Sequence, residues 1–217
     1  MANGTGRLVI VNGGSSVGKT SLCRELQDML WERSRQLYCL LGIDAFGFSL
    51  PPTQLDLQRV EPQFYTTETY EENGLPYFIV HPGPLLDEVM YARYRAIKAY
   101  LDRGLNVIAD DVLWKREWLE DAVTLLADYH VVFVGARISD AEGARREESR
   151  GDRHPGWDRG SQRIAHRDAL YDEELDTTYD TPQTSAAKIF GFLESGLQPT
   201  AFARLRERFT SGEPRRR

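Results

Sequence analysis

The stretch Gly13-Gly14-Ser15-Ser16-Val17-Gly18-Lys19-Thr20 decides how this chain is read. It matches the phosphate-binding pattern G-x-x-x-x-G-K-[ST]. In front of it, Leu8-Val9-Ile10-Val11 reads as a buried strand, and behind it Leu22, Leu26, Met29 and Leu30 recur at helical spacing. Strand, glycine-rich loop and helix form the context in which backbone N–H groups turn inward around phosphate oxygens, with the positive end of the helix dipole behind them. All eight residues from Gly13 to Thr20 are therefore candidate nucleotide-binding residues. Lys19 is placed to reach the β- and γ-phosphates of ATP, and the Thr20 hydroxyl to bind Mg²⁺.

The rest of the chain alternates. Strands are expected at 7–12, 37–42, 105–109, 131–136 and, at an edge, 174–178. Helices are expected at 19–35, 84–103, 115–128, from the capping box Ser139-Asp140-Ala141-Glu142, from Pro182, and at 200–209. Residues 45–82, rich in proline and aromatics, read as irregular. The pattern implies an α/β three-layer sandwich around a parallel sheet of roughly five strands, formed as one domain over 1–217. An acceptor-binding region is expected near 45–100, an arginine-rich lid near 145–167 and a C-terminal helical extension near 197–213. Ligands of such sheets sit at the carboxyl ends of the strands, where Thr20, Asp44, Asp110 and Asp111 fall.

At 217 residues, 41% hydrophobic and 28% charged, the composition is globular, and the net charge of −6 argues against a general nucleic-acid binder. Cys23 and Cys39 make no C-x-x-C pair and suit a reducing compartment. No apolar run approaches the roughly 20 residues that span a bilayer, and the first residues show no signal-peptide core. A cytoplasmic location with no membrane partner is expected, with homo-oligomerisation left open.

Asp110 and Asp111 close an apolar strand and can hold Mg²⁺ opposite Thr20, or simply end the strand and cap the next helix. Asp44, about 25 residues after Lys19, suits a base that accepts the proton of an attacking hydroxyl, but equally a helix N-cap. A ribose-binding role would need a G-x-G-x-x-G loop, which is absent. Seven arginines between 145 and 167 look like a lid. Arg150 and Arg153 are its candidate phosphate contacts and catalytic residues with Lys19 and Asp44, whereas Arg145 and Arg146 also suit surface pairing with nearby glutamates. Phe46, Phe48 and Tyr94 are the candidate acceptor contacts of an aromatic pocket.

With these residues assembled, the chain resembles the chloramphenicol phosphotransferase family of P-loop kinases. The resemblance rests on Ile10–Thr20, Gly42-Ile43-Asp44, Asp110-Asp111-Val112, Arg150-Gly151-Asp152-Arg153 and Leu175-Asp176-Thr177-Thr178, in that order, and covers roughly residues 7–195. It implies ATP- and Mg²⁺-dependent phosphorylation of a hydroxyl on a small antibiotic, giving self-resistance, with Asp44 as general base and Arg150–Arg153 as lid. The segment between Asp44 and Pro84 looks longer and more aromatic than in the chloramphenicol enzyme, and residues follow Gly196 that it lacks. A nucleoside antibiotic of the capuramycin type or a biosynthetic intermediate is thus an equal candidate acceptor. A metabolite or nucleoside kinase of the shikimate or nucleoside type is the alternative, and an ATP-dependent switch a third reading.

Overall fold

Leu8, Val9, Ile10 and Val11 are completely enclosed, because both faces of their strand are covered. In the computed structural model, which describes residues 4–51, 60–151 and 154–211, the chain runs β1 (Arg7–Asn12), α1 (Lys19–Ser34), β2 (Tyr38–Leu40), α2 (Ile43–Gly47), β3 (Tyr65–Glu72), β4 (Leu75–Pro82) and α3 (Pro84–Asp102). It continues through β5 (Asn106–Asp111), α4 (Arg116–Leu125), β6 (His130–Arg137), α5 (Asp140–Arg150), α6 (Trp157–Ala165), β7 (Glu173–Asp176), α7 (Pro182–Glu194) and α8 (Ala201–Thr210).

Five strands form one parallel sheet in the order β2-β5-β1-β6-β7. Leu8 and Ile10 point into an apolar cluster built with α3, α4 and α8, and Val9 and Val11 into a second with α1 and α7. This two-sided burial is why the strand is a continuous apolar run rather than an alternating one. The expected strands are all present. The third is longer than expected, so that Asp110 and Asp111 lie within β5.

Residues 65–82, expected to be irregular, form an antiparallel hairpin. Asn73 (φ 55°) and Gly74 (φ 75°) make its two-residue turn, the left-handed pair that matches strand twist. Asn-Gly between β-rich runs carries this signal openly, and the reading of the stretch as a loop overlooks it.

The arginine-rich stretch is likewise ordered where described: α6 lies against the hairpin. Phe78 donates its N–H to the Gly156 carbonyl at 3.0 Å, and its ring meets His154 at 4.5 Å and Trp157 at 5.6 Å. The approach leaves no room for a side chain at Gly160, where a Cβ would come 2.0 Å from the Phe78 carbonyl oxygen. Gly160→Ala is therefore expected to destabilise the chain by about 1–3 kcal/mol through overpacking. Gly191→Ala, in α7 with nothing within 4 Å, is expected to stabilise it by about 0.5–1 kcal/mol. Urea denaturation of the two variants beside the wild type checks both signs.

Candidate active site

Between β1 and α1 the backbone passes through two left-handed residues, Ser16 (φ 61°) and Gly18 (φ 91°), before Lys19 opens the helix. The earlier glycines are required by proximity. A Cβ on Gly13 would sit 2.5 Å from the Ala136 carbonyl oxygen, and one on Gly14 would sit 2.6 Å from Gln162 Cγ. The loop's polar groups have partners from the chain itself: Ser15 N–H donates to Ser161 Oγ at 2.7 Å, and Lys19 Nζ to the Gly14 carbonyl at 2.7 Å. Ser16 Oγ is buried with no partner and lines the cavity described below. Burial pushes the Lys19 ammonium pKa down, against the pull of Asp110 foremost and then Cys23, Asp111 and Asp44.

The parallel register carries β5 to the same level, Val11 opposite Asp110 and Asn12 opposite Asp111. The two carboxylates then part. Asp110 accepts the Thr20 hydroxyl at 2.5 Å and lines the cavity, its pKa raised first by burial and further by Asp44 and Asp111, against Lys19 and Thr20. Asp111 is turned away, buried against Arg93 Nη2 at 2.8 Å and the Tyr94 hydroxyl. Arg93 lies over the Tyr94 ring at 4.6 Å, and burial holds the phenol far above its ordinary pKa. Asp110 alone of the two thus reaches the space above the loop.

That space is a cleft of about 500 Å³. Lys19, Thr20, Asp110 and Arg150 line it together with the apolar side chains of Tyr65, Val80, Leu86, Met90, Trp114 and Trp157. Asp44 lines it too. The N-cap of α2 is Gly42, so Asp44 is not the cap that its position before Ala45 also allowed. Its side chain is exposed to the cleft and pairs with no described residue. Phe48 is 72% exposed at the rim.

Two expected acceptor contacts are elsewhere. Phe46 packs into the α3 cluster, and Tyr94 is buried beneath the site on Asp111. The cleft wall is lined instead by hairpin residues Tyr65 and Val80 and by Trp157 of α6, which no residue pattern near the phosphate loop announces. Arg150 lines the cleft, while Arg153 lies outside the described residues. Arg145 pairs with Glu142, as its spacing allows. Arg146 does so too, but it also donates to the Thr177 carbonyl at 2.7 Å and the Val17 carbonyl at 3.4 Å, which ties α5 to the phosphate loop. Among the described residues no group of three or more metal-ligating side chains is present. A hydroxyl and one carboxylate are nevertheless the donor set that Mg²⁺ uses when phosphates supply the rest.

A sheet of this order with a glycine-rich loop, a buried lysine and a carboxylate facing Thr20 defines a P-loop nucleotide-binding fold. The model of the "Chloramphenicol phosphotransferase-like protein" family matches residues 6–194, and the chain belongs to that family. Proteins of two Mycobacterium tuberculosis strains, provisionally named O-phosphotransferases, are 54% identical over 207 residues, covering 95% of this chain and 90% of theirs. At the level of fold it is similar to the M. tuberculosis APS kinase CysC solved with AMPPNP and APS (TM-score 0.59, 16% identity, 88% of this chain and 99% of that one). A sugar kinase from a Janibacter species gives TM-score 0.59 at 19% identity, over 88% of this chain and 96% of that one. No helix among the described residues is long and apolar enough to cross a membrane.

Arg93→Met would leave Asp111 as an unpaired buried charge, and a loss of about 3–5 kcal/mol in denaturant unfolding is expected. At the joint of α5 and α6, burial and the neighbouring Glu147 carboxyl raise the Asp158 pKa from 3.8 to about 6, although hydrogen bonding to the Arg159 backbone opposes the rise. Folding then takes up a proton between these values, so this group costs stability as the pH rises from about 4 to 6. Asp158→Asn is expected to gain on the wild type over that interval, read as a difference in Tm that grows from pH 4 to pH 7.

Proposed function

We propose that the chain transfers the γ-phosphate of ATP to a hydroxyl of a small, largely uncharged antibiotic-like molecule. The observation that carries this reading is Asp44: a carboxylate that pairs with no described residue and is exposed to the same cleft as Lys19, Thr20 and Asp110. An acceptor lying against Phe48, Trp114 and Trp157 would present its hydroxyl to Asp44. The hydroxyl oxygen forms a bond to the γ-phosphorus, the bond to the β,γ-bridging oxygen breaks, the proton passes to the Asp44 carboxylate, and ADP leaves.

Lys19 and Arg150 face the phosphates and offset the charge that builds on them, with Arg153 carried by the sequence resemblance alone. Thr20 and Asp110 would hold Mg²⁺, which screens the phosphates and draws charge from the leaving oxygen. The unpartnered Ser16 hydroxyl, in the wall of the cleft beside Lys19 and Thr20, supports a phosphate chain there.

The charge pattern favours an uncharged acceptor. Among the described lining residues the cations are Lys19 and Arg150, and Lys19 already balances Asp110 and Asp44, whereas an anionic metabolite of the shikimate type would need a further cation beside Asp44. A chloramphenicol-like or nucleoside antibiotic fits, and modification of it in the cytoplasm, where ATP is available, would serve self-resistance.

Incubation with ATP, Mg²⁺ and a panel of hydroxylated antibiotics, nucleosides and shikimate, read by mass spectrometry, tests this. A product heavier by one phosphoryl group is expected with uncharged aromatic or nucleoside antibiotics and none with shikimate. ATP binding without modification of any alcohol overturns the reading. Asp44→Asn is expected to lower kcat by about 10²–10⁴ with ATP affinity retained, and Asp110→Asn to raise the Mg²⁺ concentration needed for half-maximal rate.

A further inference from the structure

A second cleft, of about 320 Å³, opens on the other side of α6, between that helix, the end of β6 and the tip of the hairpin. None of its lining residues lines the first. Three guanidinium groups border it, and they differ in what they are doing. Arg137 is paired with Glu174 at 2.5 Å and Arg163 with Glu72 at 2.5 Å. Arg159 is 9% exposed, its Nε is buried without a partner, and its remaining bond is a long one, 3.4 Å, from Nη1 to the Pro76 carbonyl. No carboxylate among the described residues pairs with it. The neighbouring Asp158 carboxyl attracts it without accepting a hydrogen bond from its Nε, and a buried guanidinium N–H left unsatisfied in the wall of a cavity points to an acceptor from outside.

A hydrogen-bond chain behind α6 ends on a polar side chain in the same wall. Asn12 Oδ1 accepts the Leu113 N–H at 2.9 Å, so its Nδ2 is the donor to Ala165 O and to the Tyr171 hydroxyl, each at 2.8 Å. The same Tyr171 hydroxyl meets His166 Nδ1 at 2.6 Å. Burial, with the charges of Arg137 and Lys19, pushes the His166 pKa down to about 3, against a hydrogen bond to the Ala136 backbone, so the ring is neutral. Its Nε2 lies 3.1 Å from Gln162 Oε1. The Gln162 amide nitrogen is left over, buried and unpartnered, with Gln162 in the wall of the cleft. Against Arg159, Gln162 and the two paired arginines stands one free carboxylate, Asp140.

We propose that this cleft is an anion-binding site separate from the nucleotide pocket, which takes a small molecule through an oxyanion group, a phosphate monoester or a carboxylate. Arg159 is its anchor, Gln162 its neutral donor, and Arg137 and Arg163 its rim. At about 320 Å³ it holds a metabolite smaller than a nucleotide.

The test is calorimetric titration of inorganic phosphate and, separately, citrate into the full chain already saturated with a non-hydrolysable ATP analogue and Mg²⁺. Uptake of one anion per chain is expected, and the probe bound more tightly identifies which oxyanion the cleft prefers. Arg159→Met is expected to weaken that uptake roughly tenfold or more, with nucleotide affinity changed by less than about threefold. Arg137→Gln, at a half-exposed rim position, is expected to weaken it severalfold and serves in place of Arg159→Met should that variant fail to fold. If neither anion binds once the nucleotide is in place, if uptake survives both substitutions unchanged, or if Arg159→Met weakens nucleotide and anion equally, the proposal is overturned.

Discussion

Val11 lies opposite Asp110 and Asn12 opposite Asp111 in the parallel ladder joining β1 to β5, and this register fixes what the phosphate loop can meet. β1 releases the chain into the loop at the level where β5 delivers two carboxylates. Successive side chains of a strand face opposite ways, so the pair must divide. Asp110 rises to the Thr20 hydroxyl, and Asp111 is received by Arg93 and Tyr94 of α3. A slip of one residue would exchange them, leaving Arg93 without its anion and Thr20 without its acceptor. The buried ion pair beneath the site thus specifies the register above it, whatever its net contribution to stability.

Asn12 extends the same constraint to α6. It is fully buried, and its amide closes bonds to Leu113 beyond β5, to Ala165 at the end of α6 and to Tyr171. The last residue of the central strand is therefore what aligns the segment that carries Ser161, and Ser161 Oγ meets the Ser15 N–H of the loop. On its far side α6 is wedged against the hairpin at Gly156 and Gly160. Loop, α6 and hairpin are one packed unit, which is how aromatic residues as distant in sequence as Tyr65 and Trp157 share one cavity wall.

This explains what the sequence could and could not convey. The sheet was legible because β1, β5 and β6 are apolar runs with a single reading, and the loop because its glycine pattern stands between such a strand and a helix. Only Gly18 is demanded by its own left-handed backbone, and Gly13 and Gly14 by the approach of β6 and α6. Asp44 was legible as a carboxylate near a strand end, but not as free of the cap role, since Gly42 takes that position. The division of Asp110 from Asp111 depended on Arg93, which along the chain is one more cation on a helix with a polar face. Phe46 and Tyr94 were misplaced for a related reason: an aromatic next to a site is equally good core, and only the packing of α3 decides. The hairpin was the avoidable loss, since Asn73-Gly74 states its turn locally.

Apart from the Ser16 hydroxyl, three of the loop's polar groups are engaged within the chain itself. Ser15 N–H is held by Ser161, Lys19 by the Gly14 carbonyl, and Thr20 by Asp110. Unsatisfied buried donors would each cost about 1–3 kcal/mol, so these internal partners keep the cradle in place without strain. They also make phosphate binding an exchange of hydrogen bonds rather than a gain of new ones. The surplus must then come from charge. Lys19 is a buried ammonium paired with a neutral carbonyl, so a phosphate oxygen improves its partner more than it improves that of any neutral donor. Ser161 holds the Ser15 N–H, and it rides on the helix whose other residues border the second cleft. The phosphate loop and that cleft therefore share one rigid element, and whatever moves α6 changes what the Ser15 N–H can bind.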